Sequence, residues 1–66
     1  MENLKVIASY GLFNALSLNL YDIDHHEDRV LVGFNDDEPT WCDIDDTGYG
    51  FDYGGTNYDL SSFMRV

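Results

Sequence analysis

The sequence predicts an all-β protein: a small antiparallel sheet or SH3-like barrel of five to six short strands, with at most one short helical turn near the C-terminus. Three observations predict it. Several segments alternate apolar and polar residues at a period of two, and none sustains a period of 3.6. Clusters of Gly, Asn, Asp and Pro separate those segments at short intervals. Sixty-six residues make a single domain, 1–66, and five Tyr, four Phe and one Trp provide bulk for its core.

Each element follows from its residues. LKVIAS (4–9) is short and β-branched, which suits a strand, and Tyr10-Gly11 punctuates it. FNALSLNLYDI (13–23) puts Leu16, Leu18 and Leu20 on one face and Ser17, Asn19 and Tyr21 on the other. Its Leu and Ala also favour a helix, but the apolar set lacks the i, i+3, i+4 order. DHHED (24–28) is a polar loop. RVLVGF (29–34) is a strand with Val30, Val32 and Phe34 in phase. NDDEP (35–39) is a turn, with Pro39 where the next strand begins, because proline cannot donate inside a ladder. TWCDID (40–45) alternates again, DTG (46–48) turns, and YGFDY (49–53) puts Tyr49, Phe51 and Tyr53 on one face. GGTN (54–57) is a hairpin turn, YDL (58–60) a last strand, and SSFMRV a single helical turn or a strand end. The expected interior is Val6, Leu16, Leu18, Leu20, Val30, Val32, Phe34, Ile44, Tyr49, Phe51, Tyr53, Leu60 and Phe63.

Charge narrows the function. Thirteen Asp and Glu face three Lys and Arg, for a net charge of −10. The excess is uneven: residues 1–33 sum to −3 and residues 34–66 to −7. Such density opposes folding through self-repulsion and steers the chain toward basic partners. It argues against direct binding to nucleic acid or an anionic membrane, and no apolar run reaches the about 20 residues of a membrane helix. The lone Cys42 allows no internal disulfide, and with the lack of a leader pattern it points to a reducing, intracellular setting.

In TWCDIDDTGYGFDY (40–53) large rings and aspartates share fourteen positions without a Lys or Arg. Alternation separates them. Thr40, Cys42 and Ile44 take one face; Trp41, Asp43 and Asp45 take the other. Asp52 and Asp59 fall opposite the rings of their own segments. If these strands are neighbours, Asp43, Asp45, Asp52 and Asp59 make an acidic plate with Trp41 beside it. Like charges on adjacent strands repel, so folding gains nothing from the arrangement. Alternate strand residues lie about 6.6 Å apart, close to the about 6.8 Å of two phosphate steps along one DNA strand. The plate therefore suits the basic surface of a nucleic-acid-binding protein. Asp36, Asp37 and Glu38 extend the candidate partner-binding set, and an exposed Trp41 would be its aromatic anchor.

Other chemistries find less support. DIDDTG (43–48) matches the first half of a calcium loop, but position 12 is Gly54, where a bidentate Glu belongs. Asp22, Asp24 and His26 in YDIDHHED could gather a divalent ion, but the segment lacks a tight-turn glycine. No metal ligand set and no cofactor is assigned. Cys42 has no base near it in sequence, no Gly-rich phosphate loop opens a helix, and so small a barrel leaves little room for a pocket of about 300 Å³. The chain is not expected to be an enzyme.

RVLVGFNDDEPTWCDI, the Gly/Tyr hairpin and the ending YDLSSFMRV resemble small proteins of unassigned function encoded by phages and prophages of Gram-positive bacteria, over residues 29–66. The resemblance implies the cytoplasm of a host bacterium. It also implies a place among short acidic phage proteins, which include DNA mimics that block host enzymes and CRISPR effectors. The expected function is thus inhibition of a nucleic-acid-binding host protein, a CRISPR effector first, by occupying its basic surface. The alternative is a phage structural or assembly protein that forms homo-oligomers through a sheet edge and Trp41. A small divalent-metal module comes third.

Overall fold

The alternating segments become strands and the turn signals fall between them. The computed structural model describes residues 5–11, 17–34 and 37–65. Among these residues there are seven short strands: β1 (Ala8–Gly11), β2 (Ser17–Asp24), β3 (Arg29–Phe34), β4 (Thr40–Asp43), β5 (Gly50–Tyr53), β6 (Thr56–Asp59) and β7 (Met64–Arg65). A 3-10 turn at Leu60–Ser62 joins the last two, capped by the Asp59 carboxylate on the Ser61 N–H. The C-terminal segment thus holds both a helical turn and a strand end, which brings the strand count to seven.

Every ladder is antiparallel. Five strands form a sheet in the order β4-β3-β2-β1-β7, and β5 and β6 form a separate ribbon. The chain meanders from β1 to β4, leaves the sheet for the ribbon, and returns to lay its last strand beside its first. An isolated bridge between Ile44 and Phe51 ties ribbon to sheet.

Several boundaries differ from the sequence reading: β4 ends at Asp43 rather than at 45, β5 begins at Gly50 rather than at 49, and Leu60 leaves the last strand for the 3-10 turn. The first strand is Ala8–Gly11 rather than 4–9, because pairing with Ser17–Leu20 on one side and Met64–Arg65 on the other satisfies its backbone. Tertiary pairing there outweighs the low strand propensity of Gly11. The expected 54–57 turn shrinks to Gly54 and Gly55, both at positive φ (61° and 81°), so the last long strand begins at Thr56. Two left-handed residues are what a tight two-residue hairpin requires.

The core lies between the sheet's inner face and the ribbon. Ala8, Leu18, Leu20, Val30, Val32 and Phe51 are buried in it, and Phe34, Cys42, Ile44, Tyr53, Leu60 and Phe63 pack around them half-buried. Rings cluster at its edge: Phe51 stacks on Tyr58 at 5.7 Å between centroids, and Tyr10 meets Tyr58 edge-on at 5.8 Å. Val6 is half-buried, and Leu16 lies outside the described residues.

β2 carries one residue more than β3 between Leu20 and Asp22. This bulge reverses the phase, so Ile23 also packs on the core. β3 is buried on both faces: Val30 and Val32 face the core, and Leu31 is covered on the opposite face, in register with Trp41.

Tyr49 is a correction. It was expected inside, yet it is 72 % exposed. The Asp45 N–H donates to the Gly50 carbonyl at 2.8 Å, which makes residues 46–49 the loop of the β4–β5 hairpin. Strand alternation counted back from Phe51 stops at Gly50.

Candidate functional site

The acidic surface is assembled by short hydrogen bonds to loop and ribbon groups. Asp45 Oδ1 accepts from the Thr47 N–H at 3.0 Å and from the Thr47 hydroxyl at 2.5 Å. The Gly48 N–H closes the turn on the Asp45 carbonyl at 3.0 Å, with Gly48 at φ 79°. DIDDTG therefore builds a hairpin loop, in which an aspartate holds the next turn.

Asn57 joins the loop to the ribbon. Its Nδ2 donates to Asp52 Oδ1 at 2.9 Å and to Asp45 Oδ2 at 3.2 Å. One neutral amide thus bridges two carboxylates without cancelling either charge. Asp59 stands on the same face, because β5 and β6 pair Asp52 with Asn57 and Gly50 with Asp59. Asp45, Asn57, Asp59, Thr47 and Tyr49 border one notch of about 190 Å³. Gly50 forms its floor: a Cβ there would lie 2.9 Å from Asp45 Oδ2 and 2.9 Å from the Tyr58 carbonyl oxygen.

Charge is fixed as well as placed. Hydrogen bonds to Thr47, chiefly from its hydroxyl, hold the Asp45 carboxyl below the ordinary aspartate value, with Asn57 assisting. The Ser61 N–H and hydroxyl do the same for Asp59, against smaller opposing effects of desolvation and then of the Asp45 charge. Both remain ionised wherever free aspartates are.

Asp43 and Trp41 occupy the outer face of the neighbouring sheet edge. The Ile44–Phe51 bridge is antiparallel, which sets Asp43 beside Asp52 in register on the outer face. Trp41 is 38 % exposed, on the face the alternation assigns to it. The Arg29 guanidinium covers its ring at 4.4 Å from the centroid. Arg29 also pairs in register with Asp43, and its Nε lies 3.5 Å from Asp24 Oδ2, at ion-pair distance without hydrogen-bond geometry. The plate is therefore not free of cations at its Trp41 end, as the local sequence suggests. The cation comes from β3, twelve positions upstream of Trp41. Asp37 and Glu38 are exposed beside the strand that Trp41 occupies, and Asp36 lies outside the described residues.

No family model, curated protein or solved structure matches the chain.

The other candidates are used locally. Asp24 Oδ1 accepts the His26 and Glu27 N–H groups at 3.0 and 3.1 Å, and so organises the 24–28 turn. Asp22 accepts the N–H of Ile23 at 2.8 Å. Among the described residues no three of His, Cys, Asp and Glu converge as a metal-ligand set. Cys42 is half-buried against the core; burial, and then the Asp43 charge, push its thiol pKa up, in the direction of the protonated thiol. Residues 5–8 help to line an open cleft of about 590 Å³, more than the little room expected of so small a fold.

Two site residues escape the sequence reading. Asn57 reads as a turn residue, and its role depends on Asp45, twelve positions away. Tyr49 reads as a core residue by alternation with Phe51. Only its place next to DTG, a turn signal, could have marked it as a loop residue.

Proposed function

We propose that this chain is an acidic binding protein that occupies the basic, nucleic-acid-binding surface of a host protein, and that it is not an enzyme. The observation that carries this reading is the Asp45–Asn57–Asp52 bridge, with Asp59 alongside. The side chains are held in place by neutral donors, so the surface is ordered and keeps its negative charge. Ordering before contact lowers the entropy lost on binding. Carboxylates spaced along strands can meet Arg and Lys side chains that otherwise hold phosphates. Tyr49, exposed at the notch, supplies the large apolar contact that such an interface needs, and Trp41, with Arg29 over its ring, remains partly exposed beside it. A bacterial host, with a CRISPR effector as first target, is the setting that the resemblance to phage proteins implies.

The test is capture from bacterial lysate on immobilised protein, with mass spectrometry of what elutes in a salt gradient. The wild type should retain nucleic-acid-binding proteins that duplex DNA displaces and salt releases, since attraction is screened over about 8 Å at physiological ionic strength. The fourfold variant Asp43→Asn, Asp45→Asn, Asp52→Asn, Asp59→Asn, checked for folding by thermal melting, should lose them. Equal capture by both, undisturbed by DNA, would reject mimicry. Self-association through Trp41 would then be tested by light scattering on Trp41→Ala.

A further inference from the structure

The acidic chain keeps two of its three basic residues at one apolar cleft. Leu20, Ile23, Leu60 and Phe63 line it, and Lys5 and Arg65 line it with them. The register explains its position. Ala8 pairs with Leu20 on one side and Arg65 on the other, so the three form a row on the sheet's inner face. The cleft opens where that row meets the 3-10 turn and Phe63. Ile7, also on its wall, is 43 % exposed. Its volume, about 590 Å³, is within the range of small-molecule sites.

The cations are the telling part. Among the described residues the structure has one ion pair, Arg29 with Asp24. Lys5 and Arg65 have no carboxylate partner among those residues, although acids outnumber bases thirteen to three. A chain with so many carboxylates places none of the described ones against these two cations at an apolar wall. Apolar walls alone would suit any hydrophobe. A free inorganic anion would leave the wall uncovered, with no apolar contact to offset the repulsion that the net charge of −10 exerts on any anion. A ligand with both a hydrocarbon chain and an anionic head satisfies both parts.

We propose that this cleft binds a single-chain amphiphile with an anionic head group, its hydrocarbon chain against Leu20, Ile23, Leu60 and Phe63 and its head group at Lys5 and Arg65. This site is separate from the acidic surface and does not depend on the function proposed for that surface.

The probes are sodium decanoate, below its micellar concentration, and uncharged decanol, followed by methyl NMR of the intact protein. Decanoate should give saturable shifts centred on Ala8, Leu20, Ile23 and Leu60. Octanoate should bind more weakly, by roughly two- to fourfold per methylene removed. The double variant Lys5→Gln, Arg65→Gln changes two exposed side chains and leaves the core intact. It should weaken decanoate binding by about tenfold or more and leave decanol unaffected. Ile7→Asp, at another exposed position, should weaken both. Equal binding of decanoate by the double variant and the wild type would overturn the proposal. So would shifts that spread over the whole chain without saturating. So would the same shifts appearing on concentrating the protein alone, which would make a second copy the occupant.

Discussion

Asn57 sets two aspartates at fixed positions from a single amide nitrogen. Asn57→Ala removes both donors and leaves the two charges facing each other. These hydrogen bonds are exposed, so the expected loss is about 1 kcal/mol in chemical denaturation, and added salt should recover part of it. Tyr49→Ala should leave stability within about 0.5 kcal/mol, as for other exposed positions. The same substitution should cost about 2 kcal/mol of partner affinity by titration calorimetry, as an aromatic anchor does. Acid should act through Asp45 and Asp59. Their folded pKa values are lowered, so they stabilise the fold above the unfolded aspartate value of about 3.9. That contribution is lost as the pH falls through the lowered folded values. Melting curves from about pH 5 down to about pH 2 should therefore fall less steeply for Asp45→Asn than for the wild type. At this scale the exposed face of Trp41 was legible, because TWCDID alternates without interruption. The loop position of Tyr49 was not, because it depends on the hydrogen bond that closes the loop from Asp45 to Gly50.

The strands themselves were legible where they rest on local pattern. RVLVGF runs from Arg29 to Phe34 as read, and the hydrophobic set of β3 would have been hard to place otherwise. The bulge in β2 was not legible. One extra residue leaves no local mark, and it appears only when β2 is laid against β3. The two-residue β7 was half legible, since its strand character comes from the first strand that it pairs with. Elements also depend on close approaches that composition hides. Gly50→Ala would drive a methyl into the Tyr58 carbonyl and the Asp45 carboxylate. Overpacking of this kind costs about 1–3 kcal/mol. The expected result is a lower melting temperature together with altered amide shifts for Asp45, Thr47 and Asn57. A destabilised variant with those shifts unchanged would show that Gly50 serves the ribbon alone.

Across the whole molecule, charge works against compactness. The longest dimension is 29 Å. The screening length is about 30 Å in 0.01 M salt and about 3 Å in 1 M. At low salt all the carboxylates act on one another, and at high salt only near neighbours do. Raising sodium chloride over this range should therefore lift the melting temperature by several degrees, while the affinity for a basic partner falls. A melting temperature independent of salt would mean that the acids are arranged to avoid one another. The return of β7 to β1 adds a matter of timing. Ala8 and Arg65 face each other although almost all of the described chain lies between them. As the chain folds, the meander and the ribbon can form from nearer contacts while the outer edge of β1 still lacks its neighbour. Contacts between residues so far apart in sequence are slow to form, so the sheet is finished late, and until then its open edge is exposed to other chains.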